Sequence, residues 1–217
     1  MVLDVPLCIG MAWGCILYSV MEFSNASSLP YFARPVLDGL LALNLDLALD
    51  AVAIRLGFWN WGQGLVFQYF GVPYANFWAW FWVIFSFSLG YRLFARRKDW
   101  VGVWTSPVLA LVMGMAGVLG TNALITFRIP FTYHGLTVAI LLVIAVGSII
   151  AWRPRFHLTP VPSLVFWVPF LTHTYILIAG LISGAILDPP FLLSVGLIML
   201  AVSFYLHRPA VRKLFDN

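Results

Sequence analysis

Hydrophobic residues fill seven long windows of the chain, and short polar stretches separate them. The windows are 3–22, 36–57, 75–93, 104–126, 135–152, 164–186 and 190–206. About 20 consecutive apolar residues form a helix long enough to cross the hydrocarbon core of a bilayer. The pattern therefore predicts an all-α protein, a polytopic bundle of about seven transmembrane helices that forms a single membrane domain over residues 1–217.

Composition supports a membrane protein and excludes a large soluble domain. Hydrophobic residues make up 62% of the chain, charged residues only 9%, and the mean hydropathy is +0.96. A soluble domain carries about 25% charged residues, so this chain needs lipid around it. We expect a multi-pass protein of the cell membrane, the inner membrane of a bacterium or archaeon. The net charge of +4 lies in the loops and does not indicate a nucleic-acid partner.

The distribution of basic residues predicts the orientation of the bundle. With seven crossings, one side of the membrane collects ten Lys and Arg residues, and the other side holds only Arg55 and Arg128. The ten are Arg34, Arg92, Arg96, Arg97, Lys98, Arg153, Arg155, Arg208, Arg212 and Lys213. Because cytoplasmic loops are enriched in basic residues, we expect the N-terminus outside and the C-terminus in the cytoplasm.

The window 36–57 is the least apolar of the seven. It contains Asp38, Asn44, Asp46 and Asp50 in an otherwise hydrophobic sequence. An ionised Asp near the bilayer centre costs about 2.5–3.5 kcal/mol on insertion scales, so such residues usually face the protein interior and mark function. Asp46 and Asp50 are one helical turn apart on one face, whereas Asp38 lies about two turns earlier and is expected near the interface.

The Asp46–Asp50 pair has two interpretations. In the structural one, both side chains hydrogen-bond neighbouring helices and hold the bundle together. In the catalytic one, the two carboxyl groups share one proton, because they repel each other and are poorly solvated in an apolar helix. A neutral carboxylic acid in an apolar site can act as a general acid. We favour the catalytic interpretation for a pair at this spacing.

Other polar residues are weaker candidates. Glu22 ends the first window, four residues after Tyr18 and on the same helix face, and is a possible third carboxylate of the site. Asn122 and His173 are buried polar candidates, and for His173 we favour a satisfied core residue. The four histidines are dispersed, so we predict no metal site. No Gly-rich phosphate-binding loop is present, and we expect no cofactor.

Three sequence elements between Arg34 and Arg92 follow one another at close spacing. They are Leu45-Asp46-Leu47-Ala48-Leu49-Asp50, Gly57-Phe58-Trp59-Asn60-Trp61 and Tyr69-Phe70-Gly71-Val72-Pro73-Tyr74-Ala75-Asn76-Phe77. In these elements the chain resembles the membrane family of carotenoid biosynthesis that includes bisanhydrobacterioruberin and γ-carotene hydratases. Ala51 is a departure, since the family usually has proline directly after the second aspartate.

The resemblance implies a substrate that is a long polyene dissolved in the bilayer. The implied activity is that of a hydratase, a lyase that adds water to a terminal isoprenoid double bond of an acyclic carotenoid. Asp46, Asp50 and Glu22 are then the candidate catalytic residues. The candidate substrate-binding residues are Tyr18, Asn44, Trp59, Trp61 and Asn76, with the two indoles and Asn76 expected to border a lipid-accessible cavity beside the carboxylates.

Two alternatives stay open at this point. A carotenoid end-group cyclase would use the same acid, with an internal double bond in place of water as the group that captures the carbocation. A transporter or accessory subunit would use the carboxylates to carry protons or to hold helices together. The carotenoid substrate and the membrane lipids are the expected partners in the two enzymatic interpretations.

Overall fold

A computed structural model describes residues 7–62, 64–95, 99–156 and 161–215, with side chains up to residue 208. These residues form seven α-helices and one short 3₁₀ turn, and no β-strand occurs among them. The helices are α1 (Leu7–Asn25), α2 (Arg34–Arg55), α3 (Tyr74–Phe94), α4 (Trp100–Arg128), α5 (His134–Trp152), α6 (Leu164–Ser183) and α7 (Pro190–Phe215). The predicted all-helical fold is confirmed.

Six of the seven helices are long and apolar enough to cross a membrane, and the exception is α2. Its 22 residues correspond to a length of about 33 Å, which is ample for a crossing, but its three aspartates lower its hydropathy. α2 packs against α1, α3, α5, α6 and α7, so the surrounding helices cover its polar side chains. The chain is therefore a multi-pass membrane protein built around a polar central helix.

Small residues allow α3 and α4 to approach closely. A Cβ atom added to Gly90 would lie 3.0 Å from the Cβ of Met113, and one added to Gly117 would lie 2.0 Å from the Oγ of Ser86. Helices in membranes gain little from hydrophobic burial against each other and associate through such close van der Waals contact. This contact fixes α3, which carries one side of the site described below.

A proline inside α6 creates a hydrogen-bonding requirement that α1 satisfies. Pro169 has no N–H, so the carbonyl of Val165, one turn earlier, loses its helical partner. The hydroxyl of Ser19 on α1 donates a hydrogen bond to this carbonyl at 3.0 Å. Since an unpaired carbonyl is costly in an apolar environment, this bond ties α1 to α6.

The connection between α2 and α3 folds back over the end of α2. The guanidinium of Arg55 donates hydrogen bonds to the carbonyls of Phe70 at 2.7 Å and of Asp188 at 3.0 Å. Gln68 accepts a hydrogen bond from the backbone N–H of Tyr74 at 2.6 Å and so caps the start of α3. Gly71 has φ +88, and an added Cβ would lie 2.8 Å from Ile54, so this close approach requires glycine.

Candidate functional site

The two aspartates of α2 meet one amide from α3. The side-chain nitrogen of Asn76 donates hydrogen bonds to Oδ2 of Asp46 at 3.0 Å and to Oδ2 of Asp50 at 2.6 Å. Asp46 is fully buried and Asp50 is 3% exposed. Helical periodicity places both carboxyl groups on one face of α2. Because α3 runs antiparallel to α2, its first turn, which carries Asn76, lies beside the end of α2 that carries the two aspartates. We refer to Asp46 and Asp50 as the acid pair and to Asn76 as its bridge.

No basic side chain among the described residues forms a salt bridge with the acid pair. The salt bridge that the described residues do form joins Asp38 to Arg92, at the other end of α2. Asn76 is neutral and its two N–H groups are both used, while Oδ1 of Asp46 receives no hydrogen bond from the described residues. The carboxyl groups of Asp46 and Asp50 lie close together, because both Oδ2 atoms bond the same amide nitrogen. One shared proton would turn their repulsion into a hydrogen bond.

Tyr69 reaches the acid pair from the α2–α3 connection. Its hydroxyl donates a hydrogen bond to the carbonyl of Leu47 at 3.1 Å, and its ring lies edge-on to Phe77, with the centroids 4.8 Å apart. Burial, and after it the charge of the nearby Asp46, raises the pKa of the Tyr69 hydroxyl, so the phenol stays neutral. No role for Tyr69 follows from the sequence alone, although Gly71 signals the turn that brings it back to α2.

A second buried centre lies at the other end of α2. Asp38 accepts hydrogen bonds from the guanidinium of Arg92 at 3.0 Å and from the hydroxyl of Ser88. Arg92 also donates to Ser88 at 3.0 Å and to Ser24 at 2.7 Å. Asp38, near the start of α2, and Arg92, near the end of α3, are both buried between the two helices. Their positions near the start of α2 and the end of its antiparallel neighbour α3 are the sequence signal for this pair.

Asn44 lies away from the acid pair and joins three helices. Its amide nitrogen donates to the carbonyl of Met199 on α7 at 3.1 Å, and its oxygen bonds to Nε2 of His173 on α6 at 3.2 Å. His173 is therefore a hydrogen-bonded core residue in this structure. His134 bonds the carbonyls of Ile125 and Ile129 at 3.0 and 3.2 Å, and so closes the end of α4.

The structure does not bring Glu22 and Tyr18 to the acid pair. Glu22 accepts a hydrogen bond from Asn25 at 3.3 Å, and Asn25 in turn accepts one from Arg92. Glu22 thus lies at the Asp38–Arg92 end of the bundle. The side chain of Tyr18 is 43% exposed on the surface of α1.

Two cavities lie beside the tryptophans of the α2–α3 connection. One, of about 530 Å³, is lined by Trp59 and Trp61 together with Ile54, Gly57, Asn60, Gly62, Gly64, Leu65 and Gly71. The other, of about 330 Å³, is lined by Trp59, Leu49, Ala53, Phe58, Leu171, Thr172, Tyr175 and Ile176. The carboxyl groups line neither cavity, although Leu49 is the chain neighbour of Asp50. The structure brings Asn76 to the carboxylates but does not place the two indoles against them.

Fold and site together define a multi-pass helical membrane protein with a buried pair of carboxyl groups. A family model described as "Carotenoid biosynthesis protein" matches residues 1–150, more than half of the chain, and the matched part contains Asp46, Asp50, Tyr69 and Asn76. The chain belongs to this family. No curated protein and no solved structure matches it.

Proposed function

We propose that the protein is a carotenoid hydratase whose acid is the Asp46–Asp50 pair. The observation that supports this proposal is the buried carboxyl pair bridged by the single neutral amide of Asn76, without a salt bridge from the described residues. A proton held between the two groups removes most of the cost of burying them. The same proton is available for transfer to a double bond.

The reaction needs an acid and one water molecule, and it passes through a tertiary carbocation. The O–H bond of the protonated carboxyl group breaks, and the alkene π electrons form a new C–H bond, which leaves a tertiary cation. Water then forms the C–O bond and returns one proton to the carboxylate, so the acid is regenerated. The ionised partner of the pair stabilises the positive charge in an environment of low dielectric. The reaction consumes only the polyene and water.

Expression in a carotenoid-producing bacterial host tests the activity directly. We expect pigments whose mass increases by that of one water molecule, and no such product when the host carries the empty vector. A product of unchanged mass in which a ring has replaced one C=C bond, identified by NMR, would instead indicate the cyclase. Unaltered pigments in cells that accumulate the protein would contradict both enzymatic functions and favour a transporter or accessory subunit.

Chemical labelling tests the shared proton without relying on activity. Dicyclohexylcarbodiimide reacts with protonated carboxyl groups that are shielded from water. We expect a mass-spectrometric adduct on Asp46 or Asp50 and none on Asp38, which is paired with Arg92. Equal labelling of Asp38, or no labelling of either member of the pair, would contradict the proposed proton.

We also propose that the protein resides in the cell membrane with its N-terminus outside and its C-terminus in the cytoplasm. Arg92 is buried in an ion pair and no longer counts as a loop charge, but the other basic residues on that side still greatly outnumber Arg55 and Arg128. Reporter fusions after Asn217 and within residues 62–69 should report opposite sides of the membrane. Matching sides would contradict this topology.

A further inference from the structure

The acid site is least buried at Asn76, which two tyrosine rings of the α2–α3 turn precede in the chain. Asn76 is half-buried, whereas Asp46 and Asp50 are buried behind it. Tyr69 and Tyr74 on either side of the α2–α3 turn are also half-buried, with ring centroids 6.4 Å apart.

Tyr69 is the ring best placed to face a cation formed at the acid. It is tied to α2 by the bond from its hydroxyl to the carbonyl of Leu47, which lies between Asp46 and Asp50 in the sequence. Phe77, the residue after Asn76, holds the Tyr69 ring from the side. An aromatic face attracts a cation within about 6 Å of its centroid, and the attraction is stronger where water is excluded.

We propose that Tyr69 is the aromatic wall that stabilises the carbocation, and that it thereby determines which product forms. This inference rests on the proposed acid chemistry. The sequence motif suggested Trp59 and Trp61 as the rings beside the carboxylates, but the carboxyl groups do not line the cavities next to these indoles. The hydroxyl of Tyr69 instead bonds the carbonyl of Leu47, the chain neighbour of Asp46.

A cation has two fates in such a site, and they give different products. Capture by water forms a C–O bond and returns a proton to the carboxylate, which yields the alcohol. Loss of a proton from a neighbouring carbon to the same carboxylate re-forms a double bond at a shifted position, which yields an isomer of unchanged mass. Proton loss to the adjacent carboxylate needs no further reactant and is slower from a stabilised cation, whereas capture is limited by the arrival of water. A wall that stabilises the cation therefore favours the alcohol, and its removal favours the isomer.

The test is the ratio of hydrated product to shifted-alkene isomer in the carotenoid-producing host. We expect Tyr69→Phe, which keeps the ring, to retain the wild-type ratio. Tyr69→Leu should lower the ratio by about threefold to thirtyfold, in line with the strength of cation–π attraction. Phe67→Leu is the matched control, since it removes from the same connection an aromatic ring that stacks on Phe131 and not on the acid site. A product ratio does not depend on how much protein accumulates.

Carbodiimide labelling of the acid pair separates the role of the ring from a purely structural one. A lowered ratio, or loss of product with labelling of Asp46 or Asp50 retained, supports the wall. An unchanged ratio in Tyr69→Leu overturns it, and so does loss of product together with loss of labelling, because Tyr69 would then only hold the pair in place. If Asp46→Asn and Asp50→Asn both convert pigment normally, the acid assignment itself fails, whatever Tyr69 does.

Discussion

The two ends of α2 bury carboxyl groups in opposite ways. Near its start, Asp38 is neutralised by Arg92 and receives a further hydrogen bond from Ser88. Near its end, Asp46 and Asp50 lie one turn apart and, within the described part of the chain, share the amide of Asn76 and no cation. Both centres lie between α2 and α3, so they differ in their chemical partners and not in their helices.

This difference separates a structural centre from a chemical one. A carboxylate compensated by a buried guanidinium has no proton to give. Removing either partner of such an ion pair leaves the charge of the other buried and uncompensated. A carboxyl pair without a cation must hold a proton to remain in an apolar bundle. The second arrangement stores an acid within a membrane protein, and the first stabilises the helices that position it.

The largest expected effect is on activity, from substitutions in the acid pair. Asp46→Asn and Asp50→Asn preserve size and hydrogen bonding but remove the transferable proton or the charge. We expect each to lower conversion by about 10²–10⁴-fold, the usual contribution of a general acid, with normal accumulation in the membrane. Pigment analysis and immunoblotting of the same cells measure both quantities.

Two outcomes would break this part of the comparison. Normal conversion by both Asn variants would remove the acid assignment and direct attention to Glu22. Loss of accumulation in place of activity would show that the pair mainly holds helices together, as Asp38 and Arg92 do.

The next effect is on stability, at the other end of α2. Arg92→Met should lower the free energy of unfolding by about 3–5 kcal/mol, because it leaves the charge of Asp38 buried without a partner. Thermal unfolding of the purified protein in detergent measures the change. The double variant Asp38→Asn with Arg92→Met is the control and should recover much of the loss. A single variant as stable as the wild type would show that Asp38 does not carry a buried charge.

Removing the bridge should have an intermediate effect on activity. Asn76→Ala deletes the hydrogen bonds that orient both carboxyl groups, and bonds to a charged group contribute about 1.5–3 kcal/mol. We therefore expect conversion to fall on the order of tenfold to a hundredfold, measured as pigment product per unit of protein. Unchanged conversion would mean that the carboxyl groups orient themselves without α3.

The smallest effect is expected from Ser88→Ala, the counterpart of that change at the Asp38 centre. It removes one hydroxyl while Arg92 remains, so the free energy of unfolding should fall by about 1 kcal/mol. Product yield per unit of protein should stay at the wild-type level. A reduced yield would show that the two centres are coupled and would weaken the division between them.

The helices could be predicted from the sequence because membrane helix formation is local. Each backbone N–H and C=O is satisfied within its own segment, so apolar length alone places a helix. The predicted span 75–93 corresponds to the helix Tyr74–Phe94, and the predicted span 164–186 corresponds to the helix Leu164–Ser183. The pairing of Asp46 with Asp50 on one face follows equally from helical periodicity.

Side-chain partners between helices were decided by the tertiary structure. Arg92 bonds Asp38 across 54 residues of chain, and His173 bonds Asn44 across 129. Tyr69 reaches the carbonyl of Leu47 on α2 because the connection folds back over the end of that helix, where Arg55 bonds the carbonyl of Phe70. These contacts depend on the rotation and register of packed helices, which small residues and hydrogen bonds fix in a membrane and which no single apolar window encodes. The sequence thus determined where the acidic residues lie along α2, and the packing of α3 decided which of them meets a cation and which meets only an amide.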